Sequence, residues 1–232
     1  MKFEYKDNSY FEEGKVYTFK KLDGEPFRCD VVNYRNYFYT KGDELGYDES
    51  GVYKASSILV NVEETPEISL IMAVSDNNVV GKGNKLPWKL KDDLKFFKEQ
   101  TIGSHLIMGY NTFKSLPSIL PNRKHIVLTS KKIESTEDVL YLNNISQLFE
   151  YLNTNSVNES YLIGGANLVD KFRKKNLIGD IFITHVKSKD VDGDVKLDLD
   201  TFNLSSYEKE VITVCSKSED NEYPFEVVKY FK

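Results

Sequence analysis

Short apolar runs alternate with segments of helical periodicity from Ile68 onward, and this alternation restricts the fold more than any other feature of the sequence. Each apolar run has the length of a buried strand, and the segments between them repeat apolar residues every three or four positions. The runs are 68–74, 106–108, 126–128, 161–163 and 181–183, and the helical segments are 90–100, 111–116, 145–152 and 166–174. This alternation predicts an α/β domain with a mostly parallel central sheet and flanking helices.

The last part of the chain has a different pattern. Two β-prone stretches, 207–215 and 225–231, flank a polar segment at 216–222. This arrangement predicts a C-terminal antiparallel hairpin that closes one edge of the sheet. We expect residues 67–232 to fold as one domain, because a chain of this length buries roughly 70% of its unfolded surface.

Residues 1–66 have a composition of their own, with 13 of the chain's 30 aromatic side chains, eight of them tyrosines. Short β-prone runs at 15–19 and 37–40, with turn signals at 23–24, 41–43 and 50–51, predict a small all-β module. The tyrosines form either a binding face or the packing of a thin core. Segment 61–67 is expected to be a linker, because Pro66 interrupts both periodicities, so the domain boundary is predicted after residue 66.

The composition excludes several classes of protein. The chain has 31 basic and 36 acidic residues, and this net charge of −5 disfavours nucleic acid as a partner, because phosphate recognition needs a basic surface. No stretch approaches the roughly 20 apolar residues of a membrane-spanning helix, and the N-terminus lacks the apolar core of a secretion signal. We therefore expect a cytoplasmic protein without a membrane partner. Cys29 and Cys215 lie far apart with no ligand set nearby, so neither a disulfide framework nor a metal site is expected.

Asp93 occupies an unusual position in the first helical segment. Leu90, Asp93, Leu94, Phe97 and Thr101 share one helical face, so the carboxylate stands where an apolar residue is usual. An ionised carboxylate that is buried without partners is strongly destabilising. Asp93 therefore either has a hydrogen-bonding partner or polar ligand, or lies partly solvated at the margin of the apolar stripe. The periodicity leaves both interpretations open.

Three segments that follow predicted strands have the composition of binding loops. Segment 75–88 contains two glycines and ends at Trp88, the only tryptophan; an ordinary surface loop is the alternative. Two other strands run into helices through glycine, at Gly109 and at Gly164-Gly165. Backbone amides at such joints can approach a phosphate closely, and two joints in one sheet would suit a dinucleotide diphosphate. The full three-glycine fingerprint is absent.

Taken together, these segments resemble dihydrofolate reductase. The matching stretches are ISLIMAVSDNNVVGKGNKLPWKLKDDLKFFKEQT (68–101), LIMGYNTFKSLPSILPNRKHIVLTS (106–130), YLIGGANLVDKF (161–172) and IFITHVKSKDVDGD (181–194). The Leu-Pro-Trp turn before an acidic helix is the most specific part, and nothing before Glu67 takes part in the resemblance. It implies reduction of 7,8-dihydrofolate to tetrahydrofolate in one-carbon and thymidylate metabolism, with NADPH as cofactor and antifolates as further ligands.

The resemblance also implies roles for particular residues. Asp93 would be the active-site carboxylate that binds pterin N3 and the 2-amino group and supports protonation at N5. Trp88 would help to hold an associated water, and Thr184 would be the buried threonine bonded to the carboxylate. Leu86 would line the pterin pocket and is grouped with these three as catalytic. Arg123 would bind the α-carboxylate of the substrate's glutamate, a bidentate contact that suits a guanidinium.

Two larger sets follow from the same resemblance. The remaining residues expected to contact the substrate are Ile71, Ala73, Phe97, Ser115 and Leu116. The residues expected to contact NADPH are Ala73, Val80, Gly109, Thr112, Thr129, Ser130, Lys131, Ile163, Gly164, Gly165 and Ala166. Hydride would pass from nicotinamide C4 to pterin C6, and the protein would mainly position the two rings.

The chain departs from the family pattern at two positions. Tyr110 stands where the family commonly has an arginine for the adenosine 2′-phosphate, and Val169 stands where many relatives have an aromatic residue near the nicotinamide. Both changes concern cofactor binding rather than the chemistry. The three histidines, His105, His125 and His185, form no spaced ligand pair, so we interpret them as structural.

Two alternatives to an active dihydrofolate reductase remain open. One is a related pterin or pyrimidine reductase on the same fold, which the Leu86-Pro87-Trp88 turn and Asp93 disfavour. The other is an assembly protein in which the reductase half serves as a scaffold and residues 1–66 dock to a protein partner. The set of Asp93, Thr184 and Arg123 favours activity. The sequence leaves the oligomeric state open.

Overall fold

The computed structural model of this chain describes residues 16–21, 26–30, 58–64, 67–157 and 159–231. Its strands, in chain order, are β1 (Val16–Lys21), β2 (Pro26–Asp30), β3 (Ile58–Glu64), β4 (Ile68–Ser75), β5 (Val79–Gly81), β6 (His105–Gly109), β7 (Lys124–Leu128), β8 (Val139–Leu142), β9 (Ser160–Leu162), β10 (Ile181–Val186), β11 (Val195–Lys196), β12 (Glu208–Cys215) and β13 (Phe225–Phe231). Its helices are α1 (Lys91–Thr101), α2 (Tyr110–Ser115), α3 (Ile145–Thr154) and α4 (Ala166–Lys174), with two 3-10 turns at Leu199–Phe202 and Leu204–Ser206.

Contacts between residues divide the chain into two compact units. The first consists of Met1–Pro66, Asn144–Asn158 and Lys174–Leu177, and the second of Glu67–Asn143, Glu159–Arg173 and Ile178–Lys232. The first unit therefore includes α3 as well as the segment predicted to form a module of its own. The predicted boundary after residue 66 stays a prediction.

Three strands of the first unit form an antiparallel sheet with β1 in the centre, between β2 and β3. The predicted run 37–40 and the three predicted turns lie outside the described residues. The predicted linker over 61–67 is wrong for residues 61–64, which belong to β3; Glu63 and Glu64 lie opposite residues of β1.

The second unit is built on an eight-stranded sheet in the order β12-β13-β10-β4-β9-β6-β7-β8. The six strands from β10 to β8 run parallel, and β13 and β12 extend the sheet antiparallel at one edge. The mostly parallel sheet and the C-terminal antiparallel hairpin are thus confirmed. The predicted strands and helices agree with the observed ones within three residues at each end. The short strands β5, β8 and β11 were not predicted.

Two apolar clusters pack the second unit. The first contains the buried residues Ile71, Leu106, Met108, Val127, Val139, Tyr161 and Phe182. The second contains Val79, Trp88, Leu90, Val186, Val191, Phe225 and Val227. Strand β4 contributes to both, since Ile71 belongs to the first cluster and Ala73 packs against the second. Within the described ranges, no helix has the length and apolar content to cross a membrane.

Residues 67–232 are expected to fold without residues 1–66. This range contains the complete eight-stranded sheet and both apolar clusters, so it buries a core of its own. A fragment that begins at Glu67 should remain soluble and unfold in one cooperative transition in urea, followed by circular dichroism and Trp88 fluorescence. Aggregation, or a transition without cooperativity, would show that Asn144–Asn158 depends on residues 1–66 and that the predicted boundary is wrong.

Candidate active site

Asp93 lies in the first turn of α1 with its side chain only 8% exposed. Thr184 of β10 donates a hydrogen bond from Oγ1 to Asp93 Oδ1 at 2.6 Å. Thr184 is itself buried and lies opposite Ala73 in the parallel pairing of β10 with β4. Burial raises the pKa of the Asp93 carboxyl above its usual value, and the hydrogen bond from Thr184 opposes that rise. Of the two interpretations of the sequence, the structure supports the buried carboxylate with a partner.

The turn between β12 and β13 holds the first turn of α1 in place. The residue before the helix, Leu90, provides no side-chain cap. Asn221 supplies these contacts instead, since its Oδ1 accepts from the Asp92 amide at 3.2 Å and its Nδ2 donates to Asp92 Oδ2 at 2.6 Å. The Lys91 amide donates to the Asp220 carbonyl at 3.0 Å, and the two side chains form an ion pair. Sequence reasoning missed Asn221, because a polar hairpin turn does not reveal which helix it contacts.

Two leucines close to Asp93 in the sequence are half exposed, Leu86 at 52% and Leu94 at 50%. The helical periodicity predicted that Leu94 would be buried with Asp93, and this prediction is wrong. Other segments cover α1 at Asp93 and Thr101 but leave Leu94 half exposed to solvent. A buried carboxylate next to exposed apolar side chains suits a flat, apolar ligand with hydrogen-bond donors along one edge.

Trp88 is buried in the second apolar cluster, where Leu90 and Phe225 also lie. Its Nε1–H is buried and has no hydrogen-bond acceptor among the described residues. Because a buried indole N–H usually has a partner, this orphaned donor fits the expected role of Trp88 in holding a water or a ligand atom. That role stays a prediction.

Arg123 is buried at the end of the segment that leads into β7. Its Nη1 donates to Thr101 Oγ1 at 3.1 Å, and its Nε donates to the Pro121 carbonyl at 3.2 Å. Thr101 in turn donates to the Phe97 carbonyl at 2.6 Å, so the guanidinium is fixed against α1. Burial lowers the pKa of Arg123 from a value far above neutrality, and the side chain stays cationic. Its neutral partners leave its charge available for an anion.

The structure brings together most of the other residues predicted to contact the substrate. Ile71, Phe97 and Leu116 lie in or against the first apolar cluster, and Ala73 lies two residues along the same strand as Ile71. Ser115 is exposed and donates its hydroxyl to a backbone carbonyl of α2. Their contact with a substrate stays a prediction.

The two glycine joints lie side by side. The Gly109 amide donates to the Gly164 carbonyl at 2.9 Å, across the ends of the neighbouring strands β6 and β9. Gly164 has φ = +125°, which an L side chain rarely adopts, and a Cβ at Gly165 would stand 3.2 Å from Thr112 Oγ1. Gly164 needs glycine because of its φ, Gly165 needs it because a side chain there would crowd Thr112, and α4 begins directly afterwards at Ala166. A helix N-terminus behind such a joint suits a diphosphate, because the helix dipole and the first-turn amides favour an anion.

Lys131 lies over the ring of Tyr110, with its ammonium 4.3 Å from the ring centroid. The Lys131 amide donates to Thr129 Oγ1 at 3.2 Å. The residue that replaces the family's arginine thus holds a neighbouring cation through a cation–π contact. Lys131 and Ser130 are both exposed just after β7.

Val80 and Ile163, also predicted to contact the cofactor, lie in different parts of the fold. Val80 belongs to β5, which pairs with β11 and not with the eight-stranded sheet. Ile163 follows β9 and donates its amide to the Ile107 carbonyl at 2.9 Å, next to the glycine joints. Val169 in α4 is fully buried, so at this position the chain has a core residue.

Comparison with known proteins gives a consistent result. The dihydrofolate reductase family profile matches residues 67–232. Dihydrofolate reductase of Bacillus subtilis is 33% identical over 169 residues, which cover 71% of this chain and 94% of the relative. The enzyme of Haemophilus influenzae is 33% identical over 159 residues, covering 67% and 92%.

A solved structure of dihydrofolate reductase from Enterococcus faecalis, complexed with NADP(H) and RAB-propyl, is similar with a TM-score of 0.63 and 29% sequence identity. The match covers 72% of this chain and 96% of that one. The mostly parallel sheet and its C-terminal antiparallel hairpin agree with this structural similarity. This chain belongs to the dihydrofolate reductase family.

Proposed function

We propose that this chain reduces 7,8-dihydrofolate to 5,6,7,8-tetrahydrofolate with NADPH, and that Asp93 is the carboxylate at which the pterin binds. The observation that carries the assignment is the buried pair of Asp93 and Thr184, joined at 2.6 Å in a domain of this family. One carboxylate oxygen accepts from Thr184, which leaves the other free to accept from a ligand. A pterin presents donors at N3 and the 2-amino group, so it supplies the partners that a buried carboxylate needs.

Asp93 also supports protonation at pterin N5. Burial raises its pKa, which makes the site favourable to a proton in a way that an exposed carboxylate is not. Trp88 holds a water through its unpaired Nε1–H, and Leu86 and Leu94 cover the ring with apolar surface. Arg123 binds the glutamate α-carboxylate at the other end of the substrate. The chain thus fixes the substrate at both ends and shields its ring from solvent.

The residues present suit NADPH. When bound, NADPH supplies the hydride that pterin C6 receives. The joint of Gly109 with Gly164 and Gly165 brings its diphosphate to the first turn of α4, whose backbone amides favour an anion. Thr129, Ser130 and Lys131 offer hydroxyl donors and a positive charge to the adenosine phosphate.

The two alternatives are not favoured. A scaffold without activity would not need a buried carboxylate with a raised pKa, which is destabilising in the absence of a ligand. A pterin or pyrimidine reductase of another family would not be expected to match the dihydrofolate reductase profile over the whole of residues 67–232.

Residues 1–66 are proposed to be an accessory module that the hydride chemistry does not need. Every residue given a catalytic or binding role lies after Glu67. The segment has 9 basic and 13 acidic side chains, so a basic or aromatic protein partner suits it better than nucleic acid. A cytoplasmic location is also part of the proposal, and the free thiol of Cys215 is consistent with it.

Asp93→Asn is expected to lower kcat/KM for dihydrofolate by at least about 100-fold at pH 7. The carboxamide keeps the volume and can still accept from Thr184, but it cannot carry the charge that supports a protonated ring. Steady-state assays of NADPH oxidation measure this loss. Glu99→Gln, which removes an exposed carboxylate from the same helix, should leave kcat/KM within twofold. Turnover close to that of the wild type in Asp93→Asn would contradict the assignment.

The same variant should be more stable than the wild type, by roughly 1 kcal/mol at pH 7 without ligands. The direction of this change follows from proton linkage. Because the pKa of Asp93 is raised, the folded chain binds its proton more tightly than the unfolded chain does. Ionisation of Asp93 therefore lowers the free energy of unfolding of the wild type as the pH rises. The difference between variant and wild type should become small only at about pH 3, below the pKa of an aspartate in the unfolded chain, where the carboxyl is protonated in both states. Urea unfolding at about pH 3 and pH 7 tests this, and a destabilised variant at pH 7 would contradict it.

NADPH is expected to be preferred over NADH because of Lys131. An exposed lysine contributes about 1 kcal/mol to an ion pair, so Lys131→Gln should lower the ratio of the two kcat/KM values about fivefold. The preference should be smaller than an arginine would give, because an ammonium lacks a bidentate fork. Lys217→Gln, an exposed lysine in the hairpin turn, serves as the matched control. Equal kcat/KM values for NADPH and NADH in the wild type would rule out a 2′-phosphate site.

A further inference from the structure

His125 in β7 is a fully buried histidine that the proposed reaction does not use. Its Nε2 lies 3.2 Å from the backbone N of Leu120 and accepts the hydrogen bond from that amide. An imidazole nitrogen that accepts cannot carry a proton, so this geometry assigns the neutral form with hydrogen on Nδ1. Nδ1 is buried and has no hydrogen-bond partner among the described residues, so the Nε2 contact is the one that fixes the ring. Burial lowers the pKa of His125, so the neutral form is the one present at pH 7.

Leu120 begins the short segment that ends in Arg123. Three hydrogen bonds hold the segment in place. The Leu120 amide donates to His125, and the Asn122 carbonyl accepts from the Gly103 amide at 2.8 Å. The Arg123 guanidinium donates to Thr101. Arg123 also folds back on the segment through its Nε, which donates to the Pro121 carbonyl. The direction of the guanidinium therefore depends on where this segment lies. Of the three partners outside the segment, His125, Gly103 and Thr101, only His125 has a side chain that titrates near neutral pH.

A purely structural role for His125 would require only its volume. The imidazole contacts the Phe113 ring edge-on, with centroids 6.2 Å apart, and an apolar side chain of similar size could make that contact as well. Such a side chain could not accept from the Leu120 amide. Pro121 has no amide of its own, so without His125 the first half of the segment loses its only backbone donor contact, and the lost hydrogen bond would loosen the segment.

We infer that His125 is a positioning residue: by holding the Leu120 amide it fixes the Leu120–Arg123 segment, and so determines how tightly Arg123 binds the carboxylate of the substrate's glutamate. This rests on the proposed function of Arg123. His125 itself does not contact the substrate. It acts on affinity for the glutamate end of the substrate and not on hydride transfer at the pterin end.

The test compares His125→Leu with His125→Gln in the full chain on two substrates. Leucine keeps the volume without an acceptor, whereas the glutamine Oε1 can stand in for Nε2. Dihydrofolate has the glutamate, and dihydropteroate has the same pterin and aminobenzoyl groups without it. We expect His125→Leu to raise KM for dihydrofolate roughly tenfold, the loss typical of a weakened charged contact. Its kcat, and its KM for dihydropteroate, should stay within twofold, and His125→Gln should restore KM for dihydrofolate to within threefold.

Binding gives a second readout that does not depend on turnover. Quenching of Trp88, the only tryptophan, reports the dissociation constants of both substrates, which should change in the same way as KM. Equal losses for the two substrates, or a fall in kcat, would overturn the inference and leave His125 as a core residue. Arg123→Leu separates the proposed function from the inference. If Arg123→Leu leaves the affinity for dihydrofolate unchanged, both the carboxylate site and the role of His125 are wrong. If Arg123→Leu lowers the affinity for dihydrofolate and not for dihydropteroate, but His125→Leu changes neither affinity, only the inference about His125 fails.

The wild-type chain provides a test if His125→Leu does not fold. Nitrogen chemical shifts of His125 should report a neutral ring with hydrogen on Nδ1. Exchange of the Leu120 amide with solvent should slow at least threefold when dihydrofolate is bound, and should change by less than a factor of 1.5 with dihydropteroate, because only the former engages Arg123. A protonated ring at pH 7, or equal slowing by both ligands, would overturn the inference.

Discussion

The hydrogen bond from Thr184 to Asp93 joins the two parts of the second unit on which the site depends, the sheet and α1. A carboxylate buried to this degree is destabilising unless its oxygens have partners, and Thr184 provides one from the strand that lies between β4 and β13. The position of β10 is in turn fixed on both sides, by parallel pairing on one and antiparallel pairing on the other. The rigid sheet therefore sets where the carboxylate can lie.

The helix that carries Asp93 needs a second support, because the residue before it provides no cap. Asn221 supplies this support from the hairpin turn, and the C-terminal hairpin thereby does more than close the sheet. The amides of the first helical turn have no acceptor within the helix, so without a cap from Leu90 they need one from elsewhere. Asn221 provides it for the Asp92 amide, directly before Asp93.

The sequence predicted the part of this arrangement that periodicity and local composition determine. Five strands of the parallel sheet, the terminal hairpin and the unusual position of Asp93 all follow from patterns within a few neighbouring residues. The exposure of Leu94 and the contact between Asn221 and Asp92 could not be predicted in this way. Both depend on which segments cover α1, and those segments lie far away in the sequence. The same holds for the predicted linker at 61–64, which belongs to β3, a strand that pairs with β1.

His125 shows a second feature that the sequence could not predict. Sequence spacing indicates that His125 has no metal-ligand partner nearby, and on that basis it is interpreted as structural. The structure adds that its Nε2 faces the Leu120 amide, a contact between residues only five positions apart that no pattern of apolar or charged residues encodes. At low pH a buried neutral histidine makes the fold less stable than an apolar residue would, because the unfolded chain takes up the histidine's proton more readily than the folded chain does. The chain thus has a polar group in the interior at both ends of the proposed substrate site, Asp93 at one and His125 behind Arg123 at the other. In each case a group that weakens the fold on its own is placed where it directs a ligand contact, and this pattern distinguishes such residues from ordinary members of the core.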